Sequence, residues 1–451
     1  MKRGSLVRMS QADVTLFDIS RSNGEANKVS REDLPVHDWY RFVLSFPPHL
    51  VRKYLSQFGM GPESTVLDPF CGTGTAIVEC QKAGIKSVGI EALPMPAFAS
   101  RVKTTWTIDP QVLLQNATRV AARTFDILGK QGVPDDPALP VALGSQSLRT
   151  LPEETFRLLL KDSISPLPLH KTLVLLDCIR ADAGNPIKEL EMLALAKALV
   201  ASISNLKFGP EVGLGKIKEN VSVIQPWIMN VQAMAADLEA LSRQSYPQSV
   251  VQNNDSRFLS PLLPPSSIDG VFTSPPYPNE KDYTRTTRLE TVVLGLARSM
   301  ADLQLSKRTL VRSNTRSVYK SDTDDELVRH NTTIQKLARN IEDRRVRMKK
   351  TSGFERLYHR VTKLYFGGMT QHLASLREVL RPGASLGYVV GDQASYLRVM
   401  IRTGNILAEI AESLGYKVEA IDLFRTRLAT ATGEQLREEV LVLRWPGRRK
   451  D

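Results

Sequence analysis

Residues 65–92 read TVLDPFCGTGTAIVECQKAGIKSVGIEA, and the order of apolar and glycine positions in them decides the fold. Residues 65–68 are short, β-branched and apolar, as a buried strand is; the glycine turn PFCGTGT follows, 76–83 has helical spacing closed by Gly84, and 87–92 is a second strand. Strand, glycine turn, helix and strand make a parallel βαβ unit, whose right-handed crossover begins an open α/β sheet. Upstream, FPPHLVRKYLSQFG is read as a helix over 49–58 set by Pro47-Pro48 and stopped by Gly59. Downstream, strands are expected at 248–255, 267–277, 384–392, 417–424 and 438–445, with helices over 369–380 and 401–414, which gives seven strands and a final antiparallel pair.

Two long segments interrupt this sheet. Residues 110–247 are largely helical by periodicity, and residues 278–370 hold 20 Lys or Arg against 11 Asp or Glu, a net charge of +9. The whole chain of 451 residues is only +12, so most of its excess sits in this second insertion. Such a concentration suits a polyanion, whose phosphates it would neutralise with release of counterions. The reading divides the chain into a flexible arm over 1–30, a sheet domain in three parts over 31–109, 248–277 and 371–447, a helical insertion over 110–247 and a basic insertion over 278–370.

Composition excludes several classes. With 42% hydrophobic and 24% charged residues the chain is neither disordered nor collagen-like. No apolar run approaches the roughly 20 residues of a membrane span, and the start lacks a signal stretch, so a soluble, intracellular protein is expected. Three cysteines and six histidines follow no zinc spacing, and no metal is expected.

Two constellations carry chemistry. Around Asp68-Pro69-Phe70-Cys71-Gly72-Thr73-Gly74-Thr75, glycines at a strand tip let backbone approach a ligand, while the next helix opens with free N–H groups. The third glycine of the dinucleotide fingerprint is absent and no Walker motif occurs, so a phosphate cradle is not expected. Glu91 stands 23 positions after Asp68, near the offset at which a carboxylate takes ribose hydroxyls, which makes this a nucleoside site. The second constellation is Thr273-Ser274-Pro275-Pro276-Tyr277, where two prolines stop an apolar strand and orient the carbonyls around them. A Ser hydroxyl and rigid carbonyls there can accept from an exocyclic amine, and Tyr277 offers a face for an extruded base.

Together these residues resemble the amino-methyltransferases, which use S-adenosylmethionine to methylate exocyclic amines of DNA bases. DPFCGTGT looks like their cofactor loop, and TSPPY like their catalytic motif in the form associated with cytosine N4; adenine N6 enzymes more often carry Asp or Asn at the place of Ser274. By the same resemblance, Phe46 and Pro48 of FPPHLV pack on the methionine end, Glu91 takes the ribose, Asp255 lies near the adenine amino group, and LREVLRPGASLGYVVGD completes the base pocket. The similarity covers about 240 of 451 residues. Cofactor loop precedes catalytic motif by about 200 residues, the reverse of many relatives with SPPY.

The resemblance implies a Rossmann-like methyltransferase sheet of seven mostly parallel strands with two helical insertions. It further implies cofactor binding by Phe46, Pro48, Asp68, Pro69, Phe70, Gly72, Gly74, Thr75, Glu91 and Asp255, and catalysis by Ser274, Pro275, Pro276 and Tyr277. The substrate is expected to be duplex DNA, with the target base flipped, in a bacterial or archaeal cytoplasm near the nucleoid. The enzyme would be the modification half of a restriction system, beside a cognate endonuclease, or a solitary methylase. Adenine N6, RNA, or a non-catalytic binding module on the same fold are the alternatives. Carbon-5 chemistry is excluded, because it needs a cysteine after proline and no Pro-Cys dipeptide occurs.

Overall fold

The computed structural model describes residues 29–41, 45–142, 147–182, 184–207, 212–279, 281–428 and 433–447. The arm read at 1–30 lies, up to residue 28, outside the described residues. The described residues form nine strands: β1 (Thr65–Asp68), β2 (Lys86–Glu91), β3 (Leu206–Lys207), β4 (Gly213–Leu214), β5 (Val250–Asn253), β6 (Ile268–Thr273), β7 (Leu380–Gly391), β8 (Lys417–Leu428) and β9 (Gln435–Arg444). Seven of them make one sheet in the order β5-β2-β1-β6-β7-β9-β8, and β3 with β4 forms a small separate ribbon that periodicity did not reveal. Within the seven-stranded sheet all pairings are parallel except those of β9, which runs antiparallel between β7 and β8. The sheet is that of a Rossmann-like methyltransferase.

Topology places the crevice. From β1 the chain builds one half of the sheet through β2 and β5, and the other half starts at β6 beside β1. Strand order therefore reverses between β1 and β6, and a ligand cleft opens outside their carboxyl ends.

Successive strand residues face opposite sides, as the pleat requires. Val66, Phe272, Val389 and Val440 pack with Leu50 and Tyr54 of α1 (Pro48–Gln57) and Ala76 and Cys80 of α2 (Thr75–Lys82). Their chain neighbours Leu67, Val271, Val390 and Leu441 belong to the core on the other face. Phe272 shows the density of this packing: it is fully buried, with ring centroids 5.6 Å from Phe46 and 5.3 Å from Tyr54. Truncating such a ring costs about 3–5 kcal/mol.

The first insertion joins a helical core. There α3 (Pro94–Lys103), α4 (Pro110–Lys130), α6 (Pro166–Asp182), α7 (Asn185–Ala198) and α8 (Ile224–Leu241), with the short α5 (Glu153–Phe156) near them in sequence, carry Phe98, Leu113, Leu175, Leu193 and Trp227. The second insertion holds α9 (Tyr283–Thr286), α10 (Arg288–Val293), α11 (Met300–Arg308) and α12 (Thr332–Arg347) and leads into α13 (Tyr358–Val379); α14 (Thr403–Ser413) follows β7.

Boundaries differ from expectation in instructive ways. The strand expected to reach residue 277 ends at Thr273, because Pro275 and Pro276 cannot extend the ladder. The helix expected from residue 369 begins at Tyr358 and runs through Gly367 and Gly368, residues that ordinarily weaken a helix. Close approach explains their presence: a β carbon on Gly367 would lie 1.9 Å from the Asp324 carbonyl oxygen.

Candidate active site

The tips of β1 and β6 are neighbours, with Leu67 opposite Val271. Just beyond this pair, the Thr273 hydroxyl donates to Asp68 Oδ1 at 2.5 Å, and the Phe70 amide donates to the same oxygen at 3.1 Å. Both constellations thereby open on one cavity of about 750 Å³. Phe46, Phe70, Gly72, Thr75 and Glu91 line it from the glycine-loop side, and Ser274, Pro275, Pro276 and Tyr277 from the other.

The glycine loop is held so that its backbone faces the cavity. Gly74, at φ +85°, caps α2 and presses on α3, where a β carbon would come 2.4 Å from Ser100 Oγ. Gly72, at φ +51°, has open space where its β carbon would be. The Gly72 amide donates to Glu91 Oε2 at 2.9 Å and the Leu93 amide to Oε1 at 2.8 Å, so the carboxylate is fixed at the strand tip and, even with the Ala92 amide, keeps lone-pair capacity to spare. Burial pushes Glu91 up to about 7, and the amides of Leu93, Gly72 and Ala92 oppose that rise. Open space above a glycine and a pinned carboxylate with free lone pairs fit a nucleoside with its ribose hydroxyls on Glu91. Behind the loop, Phe70 rests on His372 with centroids 4.9 Å apart. His372 Nδ1 donates to the Ser256 carbonyl at 2.7 Å, which leaves Nε2 to accept from the Tyr388 hydroxyl, also at 2.7 Å. Burial lowers this histidine to about 4, so the ring stays neutral and serves as a fixed wall.

On the other side, the Ser274 hydroxyl donates to the Val389 carbonyl of β7 at 3.0 Å. Its proton is thus held by a carbonyl of the cavity wall, and beside its bond with Tyr277 the oxygen keeps lone-pair capacity to accept from an amine. Burial and then the Glu438 carboxylate hold the Tyr277 phenol well above its ordinary value, so the ring presents a neutral face. Cys71 is buried, and burial together with Asp68 and Glu91 raises its thiol well above the usual range, which disqualifies it as a nucleophile.

Not every expected residue reaches the cavity. Pro48 lines only a small recess beside it, while Asp68, Pro69 and Gly74 support the loop from behind. Asp255 is not among the lining residues: its carboxylate accepts from Arg257 Nη2 at 2.6 Å and Nε at 3.0 Å, and the neighbouring Ser256 faces the cavity instead. Sequence reasoning missed Lys281, Tyr283 and Leu310 of the basic insertion, and Gln393, Arg425 and Arg427 after the catalytic motif, all lining residues. Alternation along β8 could have signalled the two arginines, two positions apart on one face; nothing local marks the others.

The fold is that of a Rossmann-like methyltransferase, with the glycine loop and the Ser274–Tyr277 stretch lining one cavity at the strand-order reversal. Comparison with known proteins narrows this. The family model of N6/N4 methyltransferases, described as DNA methylase, matches residues 10–94. The type II methyltransferase M.BsoBI of Geobacillus stearothermophilus is 25% identical over 409 residues, covering 85% of this chain and 79% of that protein. The type II methyltransferase M.AvaI of Nostoc sp. is 24% identical over 439 residues, 91% of this chain and 87% of its own. A shorter stretch of 69 residues is 36% identical to the type II methyltransferase M.MjaII of Methanocaldococcus jannaschii, 15% of this chain and 13% of that one. The chain is thus similar to N4/N6 DNA methyltransferases, for which S-adenosylmethionine is the implied methyl donor. Among the described residues no helix is long and apolar enough to cross a membrane.

Proposed function

We propose that this enzyme methylates the N4 amine of cytosine in duplex DNA, acting on a base flipped into the cavity. The observation that carries the reading is Ser274, whose proton is spent on Val389 beside the cavity that Glu91 also lines. S-adenosylmethionine, when bound, supplies an electrophilic sulfonium methyl. The chain's own residues do the rest. Glu91 and the Gly72 loop hold the nucleoside; Ser274 and the carbonyls around Pro275 accept from the target amine, which frees its lone pair from the ring; Tyr277 stacks on the base. Positioning and local electrostatics are the chief aids, and the surplus proton leaves after transfer.

Sequence reading by residues 278–370 is part of the same proposal. Lys281, Tyr283, Thr286, Thr309, Leu310 and Val311 line the cavity, whereas no described residue of 110–247 does. Helix α12 adds exposed Lys336, Arg339 and Arg347. The remaining expectations, an endonuclease partner and a place at the nucleoid, follow from a restriction-modification role.

Transfer of a tritiated methyl group to duplex DNA followed by nucleoside analysis tests the proposal. Labelled N4-methylcytosine is expected. Labelled N6-methyladenine would overturn the cytosine assignment, and no label in any nucleoside would overturn the enzymatic reading. Reversing Lys336, Arg339 and Arg347 to Glu should weaken DNA binding and flatten its salt dependence, if α12 meets phosphates.

A further inference from the structure

Beside the glycine loop the cavity continues into a recess of about 10 Å³, room for roughly one water-sized group. Ser45, Phe46, Thr73 and Thr75 line both spaces. The recess wall includes Lys103, which ends α3 and is 1% exposed. Its ammonium donates to the Thr73 carbonyl at 2.9 Å and the Tyr40 carbonyl at 3.3 Å, both neutral acceptors. Among the described residues no carboxylate forms an ion pair with it. The charged groups around it do not supply one: Arg41 and Lys82 oppose its charge, and Asp38 and Cys71 favour it only in lesser measure. His37, across the recess, donates to Glu79 at 2.7 Å and is held down to about 4 by burial, so it is neutral. Glu290 accepts from the Tyr40 hydroxyl. Burial, then Arg41 and Lys82, push Lys103 itself down to about 7. A buried cation without a counter-ion is unfavourable, and an anion entering the recess would relieve it.

Resting on the reading of the cavity as a S-adenosylmethionine site, we propose that Lys103 binds the carboxylate of the cofactor's amino-acid tail, which runs through the cavity from the nucleoside at Glu91 past Phe46 and places one carboxylate oxygen in this recess. The anion holds the proton on Lys103. Binding therefore takes up protons near and above pH 7, and weakens as pH rises.

Calorimetry on the full chain tests this with two probes, S-adenosylhomocysteine, which has the tail, and 5′-methylthioadenosine, which lacks it. Lys103→Met should weaken S-adenosylhomocysteine about tenfold or more, as loss of a charge-assisted hydrogen bond does, and leave methylthioadenosine within about twofold. In the unmodified protein, affinity for the first probe should fall between pH 7 and about pH 9, and Lys103→Arg, which keeps its charge throughout, should flatten that fall. Equal losses of both probes in Lys103→Met would mean a merely structural lysine and overturn the proposal, as would an unchanged affinity for S-adenosylhomocysteine. Where Lys103→Met fails to fold, the unmodified protein decides: equal pH dependence of the two probes overturns the assignment. Should the unmodified protein bind neither probe, the cofactor reading itself falls, and this inference with it.

Discussion

The hydroxyl of Thr273 donates a 2.5 Å hydrogen bond to the carboxylate of Asp68, a residue 205 positions away in the chain. Both side chains are fully buried, and each sits at the carboxyl end of its strand, at the root of a different functional loop. The bond fixes the spacing between the glycine loop and the Ser274–Tyr277 stretch, which line the same cavity. Burial still pushes Asp68 up to about 7 against the pull of Thr273 and the Phe70 amide, and its Oδ2 has no partner among the described residues.

Thr273→Val keeps the shape and removes the donor. Stability should drop by about 1–3 kcal/mol, since a buried acceptor loses its partner. Methyl transfer should drop further than cofactor binding does, because the relative placement of the two loops is what suffers. Urea denaturation and a transfer assay check both; a variant as stable and as active as its parent would show that the tether is incidental.

The two loop glycines should fail differently. Gly74→Ala drives a β carbon against Ser100 and strains a φ of +85°, so loss of fold stability is expected, by about 1–3 kcal/mol. Gly72→Ala is strained too, at φ +51°, but its β carbon enters open space on the cavity side, so the loss should appear mainly in nucleoside affinity. Thermal melts beside equilibrium binding of S-adenosylhomocysteine separate the two patterns.

Tyr277→Ala removes the stacking face and leaves the Glu91 site untouched. Affinity for DNA carrying an unpaired target base should fall by about 1–3 kcal/mol, the worth of one stacked base, and transfer should nearly vanish. Binding of S-adenosylhomocysteine should stay within about twofold. Loss of that binding would place Tyr277 on the cofactor instead.

Glu290 is 1% exposed; one oxygen accepts from the Tyr40 hydroxyl and the other has no partner among the described residues. Burial pushes it up to about 7 from an ordinary 4.5, a rise that the Tyr40 bond only partly opposes. Its folded value thus exceeds the unfolded one, so the carboxyl lowers stability as pH rises from 4.5 to about 7, and the penalty stays constant above that. Glu290→Gln should therefore raise the melting temperature at pH 8, by an amount corresponding to at most about 3 kcal/mol, and gain little near pH 4.5. A gain independent of pH would refute the linkage.

Much of the sheet was legible because its signals are local. A run such as TVLD, β-branched and closed by a glycine turn, needs no distant partner to be read, and the same holds for Pro47-Pro48 before α1 and Pro275-Pro276 after β6. The start of α13 was hidden because Gly367 answers to Asp324, which touches it only in the folded chain. Likewise Arg257, two positions from Asp255, does not by its nearness alone announce that it and not a ligand occupies that carboxylate, since the arginine is held in place by Asp324 from the second insertion.

What the sequence determined by itself is the alternation of elements and the two loops that come to line the cavity, because hydrophobic period, proline and glycine act within a few residues of themselves. Tertiary structure alone decided which side chains of the basic insertion wall the cavity, and that among the described residues Lys103 stands buried with no carboxylate paired to it. Those outcomes depend on which surfaces come together when the two faces of the sheet are covered, a choice made by packing across hundreds of positions that no local pattern encodes.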